Sequence, residues 1–255
     1  EAVGVRHLVV SGADRVSDGL RPATPSDLAG LPLEVAPRLL GAVLHVGVGG
    51  ETVAVRITEV EAYHGLGTGD VPDPASHARS GPTARNATMW GRAGLLYVYL
   101  SHGIHSCVNV VCGPEGVAGA VLLRAGEVIS GADAASRRRL GSAGAPVAAR
   151  ELARGPGRLA KAAGLRHPIH DGLDALTAQP CGGARARLLL PERPLSPVAS
   201  GPRVGVAGPA GTDLYPWRFW LPTEPTVSVF RWGRGAGPRD PRQPARQADT
   251  PSVLD

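Results

Sequence analysis

The chain has 255 residues, enough to bury a large core as one large domain or two small ones. It carries 27 basic against 22 acidic side chains, a surplus of +5 that suits an anionic partner without identifying one. No apolar run is long enough to span a membrane, and Cys107, Cys112 and Cys181 are too few and too poorly spaced for a zinc or iron–sulfur centre or a disulfide framework.

Residues 1–24 read as a lead whose LVV could form a short strand. The opening EAVGVRHLVVSGADRVSDG has no basic region followed by an apolar segment and a small-residue cleavage site, so cytoplasmic residence is the expectation. A helix is predicted from Ser26, with the Ser26 hydroxyl as cap and Asp27 in its first turn, and Pro37 interrupts it or delimits a second. AVLHVGV, then GG, then ETVAVRITEVEAY predicts two strands joined by a tight turn. Residues 65–82 form a long polar connection, the kind of loop that often carries function on a rigid scaffold. LLYVYL, CVNVVC and AGAVLLRAGEV predict three more strands.

From Ala132 to Leu176 the period changes toward helix. RRRLGSAG includes a loop, and ELARGPGRLAKAAGL holds short helical pieces broken by Gly155, Pro156 and Gly157. ARARLLLPE, PRVGVAG, WRFWLP and TVSVFR return to strand, and residues 233–255 have the composition of a disordered tail. The sum is a mixed α/β (α+β) chain with one domain over residues 25–232. Neither a P-loop nor a dinucleotide-binding glycine turn is present.

Four polar clusters compete for a chemical role. In ITEVEAY, Glu59 and Glu61 should share a strand face; they are either solvated groups at a strand end or a general base and its neighbour. His77 and Arg79 lie in the polar loop. Tyr97 and Tyr99 should share a face, as core packing with hydroxyls at its edge or as a ligand wall, and His102 and His105 flank the glycine where that strand must turn. Arg124 ends an apolar strand and could pair with Glu59 or Glu61. A serine nucleophile lacks its Gly-x-Ser-x-Gly elbow, His64, His77, His102 and His105 have no recognised metal-ligand spacing, and His170-Asp171 reads as a loop hydrogen-bond pair.

ITEVEAY, DPASHARSGPTARNATMWGRAG, YVYLSHGIHSCVNVV, AVLLRAGEVISG and ELARGPGRLAKAAGL, with the later PRVGVAG and PWRFWL, resemble in order and spacing the alkyladenine, or 3-methyladenine, DNA glycosylase family from about Pro25 to Arg231. The resemblance implies a single domain around a largely antiparallel, curved β-sheet with peripheral helices. It also implies excision of alkylated or deaminated purines from double-stranded DNA by a monomer, with neither metal nor cofactor and no cut in the backbone. By the same resemblance Glu61 activates the hydrolytic water and Arg124 lies beside it. Tyr63, His77, Tyr99 and Asn109 line the flipped-base pocket, and Arg158 stands where the family's GPGKL motif has lysine, facing phosphate. One departure stands out: His102 occupies the place of the family's frequent intercalating tyrosine. A damage-binding protein that flips bases with little hydrolysis is the alternative; it would not need Glu61 to meet a water. A formyltransferase-like enzyme is more distant, since no cofactor motif supports it.

Overall fold

Gly49 and Gly50, both at positive φ, turn the chain between two strands that pair residue for residue from Val43↔Arg56 to Val48↔Glu51, as the paired glycines predict. The computed structural model that shows this describes residues 19–140 and 146–238. The LVV strand, the GSAG stretch and the last part of the expected tail lie outside the described residues.

Within them the chain forms, in order, β1 (Leu20–Pro22), α1 (Pro32–Val35), β2 (Val43–Val48), β3 (Glu51–His64), β4 (Leu95–Ser101), β5 (His105–Val111) and β6 (Gly119–Ser130). Then follow α2 (Ala132–Leu140), β7 (Ala153–Arg154), α3 (Pro156–Ala163), β8 (Leu173–Asp174), β9 (Ala184–Pro191), β10 (Ala199–Gly201) and β11 (Arg218–Trp220). The main path of the sheet runs β1-β9-β2-β3-β6-β5-β4-β8. Every ladder is antiparallel. The result is a mixed α/β domain on a curved antiparallel sheet with peripheral helices.

β3 is the central strand. β6 flanks most of its length, while its other edge carries β2 along the first half and β11 opposite Glu59, Val60 and Glu61. The carboxylates therefore sit in the interior of the sheet rather than at a wet strand end, and both are fully buried.

Four expected features differ. The helix from Ser26 is instead three short turns, Pro25–Leu28, Pro32–Val35 and Ala36–Leu39, because a proline opens or interrupts each and none can continue the previous one. Ser26 does not cap the first; Asp27 accepts from the Thr24 N–H at 2.8 Å. Gly155, Pro156 and Gly157 start α3 rather than break it: Gly155 stands before it at φ 114° and Pro156 is its first residue, where a missing N–H costs nothing. PRVGVAG and TVSVFR form no strand, for a reason that lies in the active site. Residues 233–236, within the expected tail, pack on 205–208, where the Gly208 N–H donates to the Arg234 carbonyl at 3.0 Å.

The core lies between the sheet and α2 and α3, whose Ala134, Ala135, Leu159, Ala160, Ala162 and Ala163 are buried against strand residues such as Val55, Ile57, Val108 and Leu123. Each buried large aliphatic contributes on the order of 1.5–3 kcal/mol. Small residues let α3 approach the sheet closely. A second, smaller cluster of Ala78, Met89, Tyr97, Val111, Ala118 and Ala120 seats the long polar loop on β4, β5 and β6. That cluster places the floor of the site.

Candidate active site

Glu59 and Glu61 both reach one guanidinium, as side chains two apart on a strand should. Arg124, at the middle of β6, sends Nε to Glu59 Oε1 at 3.1 Å and places Nη1 3.3 Å from Glu61 Oε1. Burial opposes the charge of Arg124, but Glu61 and then Glu59 outweigh it and hold its pKa above the ordinary value.

Their remaining partners separate the two carboxylates. Glu59 accepts from Arg124 Nε, from Arg218 Nε at 2.6 Å, and from the Ser228 N–H and Oγ at 2.7 and 2.9 Å. Three of these fall on Oε1 and one on Oε2, so four hydrogen bonds hold Glu59 in place. Glu61 accepts from the Val204 N–H at 2.7 Å and the Tyr63 hydroxyl at 2.8 Å. Arg124 adds an ion pair, so Glu61 takes two hydrogen bonds, one on each oxygen, where Glu59 takes four.

Here is the reason the two expected strands do not form. In PRVGVAG the Val204 N–H serves Glu61, and in TVSVFR the Ser228 N–H serves Glu59. An unpaired buried carboxylate is costlier than a missing ladder hydrogen bond, so these backbone donors go to the acids.

Tyr63 links this network to a cavity of about 80 Å³ lined by Tyr63, Ala75, His77, Met89, Tyr97, Tyr99 and Asn109. Tyr97 and Tyr99 stack with centroids 5.4 Å apart, and His77 meets Tyr99 edge-on at 4.6 Å. Nδ1 of His77 lies 3.1 Å from the Tyr97 hydroxyl. Burial, then Arg85 and Arg79, hold the His77 pKa below its ordinary value, so the ring is neutral near pH 7. Burial pushes the Tyr97 phenol up to about 12, and raises Tyr99 and Tyr63 as well; all three stay protonated donors. Asn109 donates Nδ2 to the Tyr97 carbonyl at 3.1 Å. Asn86 holds His77 in place by donating to the His77 and Gly81 carbonyls and accepting from the Thr83 N–H.

Behind Tyr63 stands a fully buried pair. Arg203 meets both oxygens of Asp73 at 2.8 Å and lies 4.6 Å from the Tyr63 ring centroid and 5.1 Å from that of Trp217. Asp73 comes from the polar loop and also accepts from the His64 N–H at 3.2 Å. One ion pair thus fastens the loop, the end of β3 and the segment that donates to Glu61.

The sequence-predicted residues fall into three places. Glu61, Arg124 and Tyr63 share one network, joined by an ion pair and a hydrogen bond; Tyr63, His77, Tyr99 and Asn109 line the cavity. His102 lies at the exposed tip of the β4–β5 hairpin, next to Gly103, with φ values of 50° and 70°. Histidine tolerates this left-handed region better than most large side chains. Arg158 lies apart, in a basic cleft with Ser101, His105, Cys107, Arg139, Arg154 and Lys161, and its Nη1 is held by Glu151 at 2.5 Å. His170 and Asp171 are not a pair. His170 accepts the Arg166 N–H, while Asp171 accepts from Thr88 and the Val98 N–H, tying the turn Ala87–Trp90 to β4. Sequence reasoning did not assign Asp73, Met89, Arg203, Val204, Arg218 or Ser228 to the site. Tyr97 carried a legible signal, its place two residues from Tyr99.

His45, His64, His77 and His170 are all pushed below their ordinary pKa, first by burial. The unfolded chain therefore takes up protons near pH 6.5 while the folded chain resists them. The stability these groups contribute is present above pH 6.5 and is lost as pH falls from there through the folded values. The midpoint of urea unfolding is expected to drop between pH 7.5 and 5.5; an unchanged midpoint would show that these rings are solvated.

Comparison with known proteins matches the geometry. The model of the methylpurine-DNA glycosylase family matches residues 27–225. A relative from Leifsonia xyli that carries the name 3-methyladenine DNA glycosylase is 52% identical over 200 residues, 78% of this chain and 88% of its own. Relatives of the same name from Nocardia farcinica and Streptomyces avermitilis are 48% and 46% identical, over 84% and 82% of this chain and 90% and 92% of theirs. With that match across most of its length, the chain belongs to the methylpurine-DNA glycosylase family and is a base-excision DNA repair glycosylase.

Proposed function

We propose that the protein acts as a monomer on duplex DNA, turns an alkylated or deaminated purine out of the helix, and hydrolyses its N-glycosidic bond with water activated by Glu61. The observation that carries this reading is the division between the two acids: Glu59 is held by four hydrogen bonds, whereas Glu61 takes two, one of them from the hydroxyl of Tyr63 in the cavity wall. A base inside a duplex is out of reach of any buried group, so the nucleotide must leave the stack. Tyr63, Tyr99 and Tyr97 offer flat faces, each worth on the order of 1–3 kcal/mol to a stacked base. His77 and Asn109 offer polar edges. The His102 hairpin tip fills the gap left behind, and Arg158 with its basic neighbours contacts the backbone, which makes affinity fall with salt.

In the chemical step Glu61 takes a proton from the water as its oxygen bonds to the sugar C1′ and the purine departs. A purine that carries a positive charge leaves unaided, and a neutral one needs a donor from the cavity. The products are the free base and an abasic site in an unbroken strand. Duplexes with one defined lesion, assayed for free base by chromatography and separately for strand breaks, test this directly. Base release from an alkylated or deaminated purine without strand breaks is expected, and retention of every base during tight binding would favour the damage-binding alternative.

The wedge has its own test. His102→Ala is expected to weaken binding to a lesion duplex by about 5-fold or more, from the loss of one stacking contact. In His102→Tyr the larger ring gains stacking, opposed by strain at positive φ. Wild-type affinity in both variants would remove His102 from the wedge role.

A further inference from the structure

The family match ends at residue 225, yet Ser228, three residues further on, makes its contacts within the active-site network. Thr226 Oγ1 lies 2.8 Å from Thr58 Oγ1, and the Val227 carbonyl accepts from Arg154 Nε at 2.9 Å. Ser228 gives both its N–H and its hydroxyl to Glu59, and its Oγ lies 3.3 Å from Arg124 Nη2 as acceptor. Glu59 and Thr226 are buried, and Arg124 is nearly so. Nothing in the proposed chemistry uses Glu59 or Ser228.

A guanidinium is a rigid planar fork whose N–H directions are fixed relative to one another. In Arg124, Nε points to Glu59 and Nη2 to Ser228, while Nη1 is the edge that meets Glu61. With the first two edges anchored, the direction of the third is set. Glu59 is itself anchored from outside by Arg218, so the orienting acid does not depend on Arg124 alone. The two acids and two arginines also balance in charge, so no uncompensated ion pulls on the fork.

We propose that Glu59 and Ser228 are positioning residues of the excision reaction. They hold the Arg124 guanidinium so that Nη1 meets Glu61, and Ser228 is therefore part of the active site. This inference rests on the reading in which Glu61 activates water. It accounts for two like charges on one strand face: one acid reacts, and the other orients the cation that serves it.

The test is single-turnover excision by wild type, Ser228→Ala, Ser228→Thr, Glu59→Gln and Glu61→Gln, with enzyme in excess over a lesion duplex the wild type cleaves. The active fraction is counted by titration with the same duplex, so partial unfolding lowers the amplitude and not the rate constant. Removing the hydroxyl lets the fork pivot about Nε. Ser228→Ala should slow the step about 10-fold, within the ~10²-fold that a 1 Å misplacement costs, with lesion affinity close to wild type. Glu59→Gln should slow it by about 10²-fold. Ser228→Thr keeps a hydroxyl and should recover most of the rate, which a purely structural role would not require. Wild-type rates in Ser228→Ala and Glu59→Gln, beside an inactive Glu61→Gln, would overturn the positioning role and leave the reading of Glu61 standing. So would losses confined to the active fraction. A fully active Glu61→Gln, or a wild type that releases no base, would instead overturn the reading beneath it.

Discussion

Replacement of Glu61 by glutamine is expected to slow base release by about 10²- to 10⁴-fold, the contribution of a positioned general base, while leaving affinity for a lesion duplex within a few-fold of wild type. The amide cannot take a proton from water, but it fits the same place. Its oxygen can accept from the Val204 N–H and Arg124, and its NH₂ can donate to the Tyr63 hydroxyl oxygen, which now accepts where it donated at 2.8 Å. The fold should therefore hold. Single-turnover excision and a binding titration on one duplex separate the two effects. Full excision by Glu61→Gln would move water activation to another group, and Glu59 is a poor candidate because two arginines and both donors of Ser228 already hold it.

The largest expected effect on stability is at Arg203. Both Arg203 and Asp73 are fully buried, and two 2.8 Å hydrogen bonds join them. The positive charge of Arg203 is held against burial by Asp73, with Tyr63 and Glu61 adding to it. Arg203→Ala would leave the Asp73 carboxylate buried without its partner, at a cost of about 3–5 kcal/mol, a large share of the 5–15 kcal/mol of a typical domain. The same change removes the cation against Tyr63 and frees the neighbouring Val204 N–H to shift from Glu61. Removing both charges, as in Arg203→Met with Asp73→Leu, should cost less than the sum of the single changes. Urea unfolding of the two single variants and the pair measures this. A loss under about 1 kcal/mol in Arg203→Ala would mean that Asp73 finds water, as surface pairs do.

Much of the fold could be read locally. The period of two in β3, the Gly49–Gly50 turn and the apolar runs of β4, β5 and β6 needed only side-chain alternation and turn chemistry. Glu59 and Glu61 were legible as neighbours on one face, and Arg124 as their partner. What each acid does was not, because the distinction lies in donors at Val204, Arg218 and Ser228, which are 143, 159 and 169 residues away. No local pattern encodes that a β-rich stretch will spend its N–H on a distant carboxylate, so PRVGVAG and TVSVFR read as strands. Arg203 was silent for the same reason: it is one arginine among many in the sequence, and only the fold shows it without solvent. The proposed roles of Tyr63, His77, Tyr99, Asn109, His102 and Arg158 came from resemblance to a family. The geometry then sorts them, with four lining one cavity, His102 on a hairpin tip and Arg158 in a separate basic cleft.

The inactive Glu61→Gln variant also provides the most direct view of the reaction geometry, since it is expected to bind a lesion duplex without cleaving it. A crystal structure of that complex should show the damaged purine outside the helix between Tyr63, His77 and Tyr99. Its sugar C1′ should lie one water molecule away from the residue 61 side chain, with His102 in the vacated gap. A damaged base still stacked in the duplex, or an extruded one whose C1′ faces away from residue 61, would contradict the account.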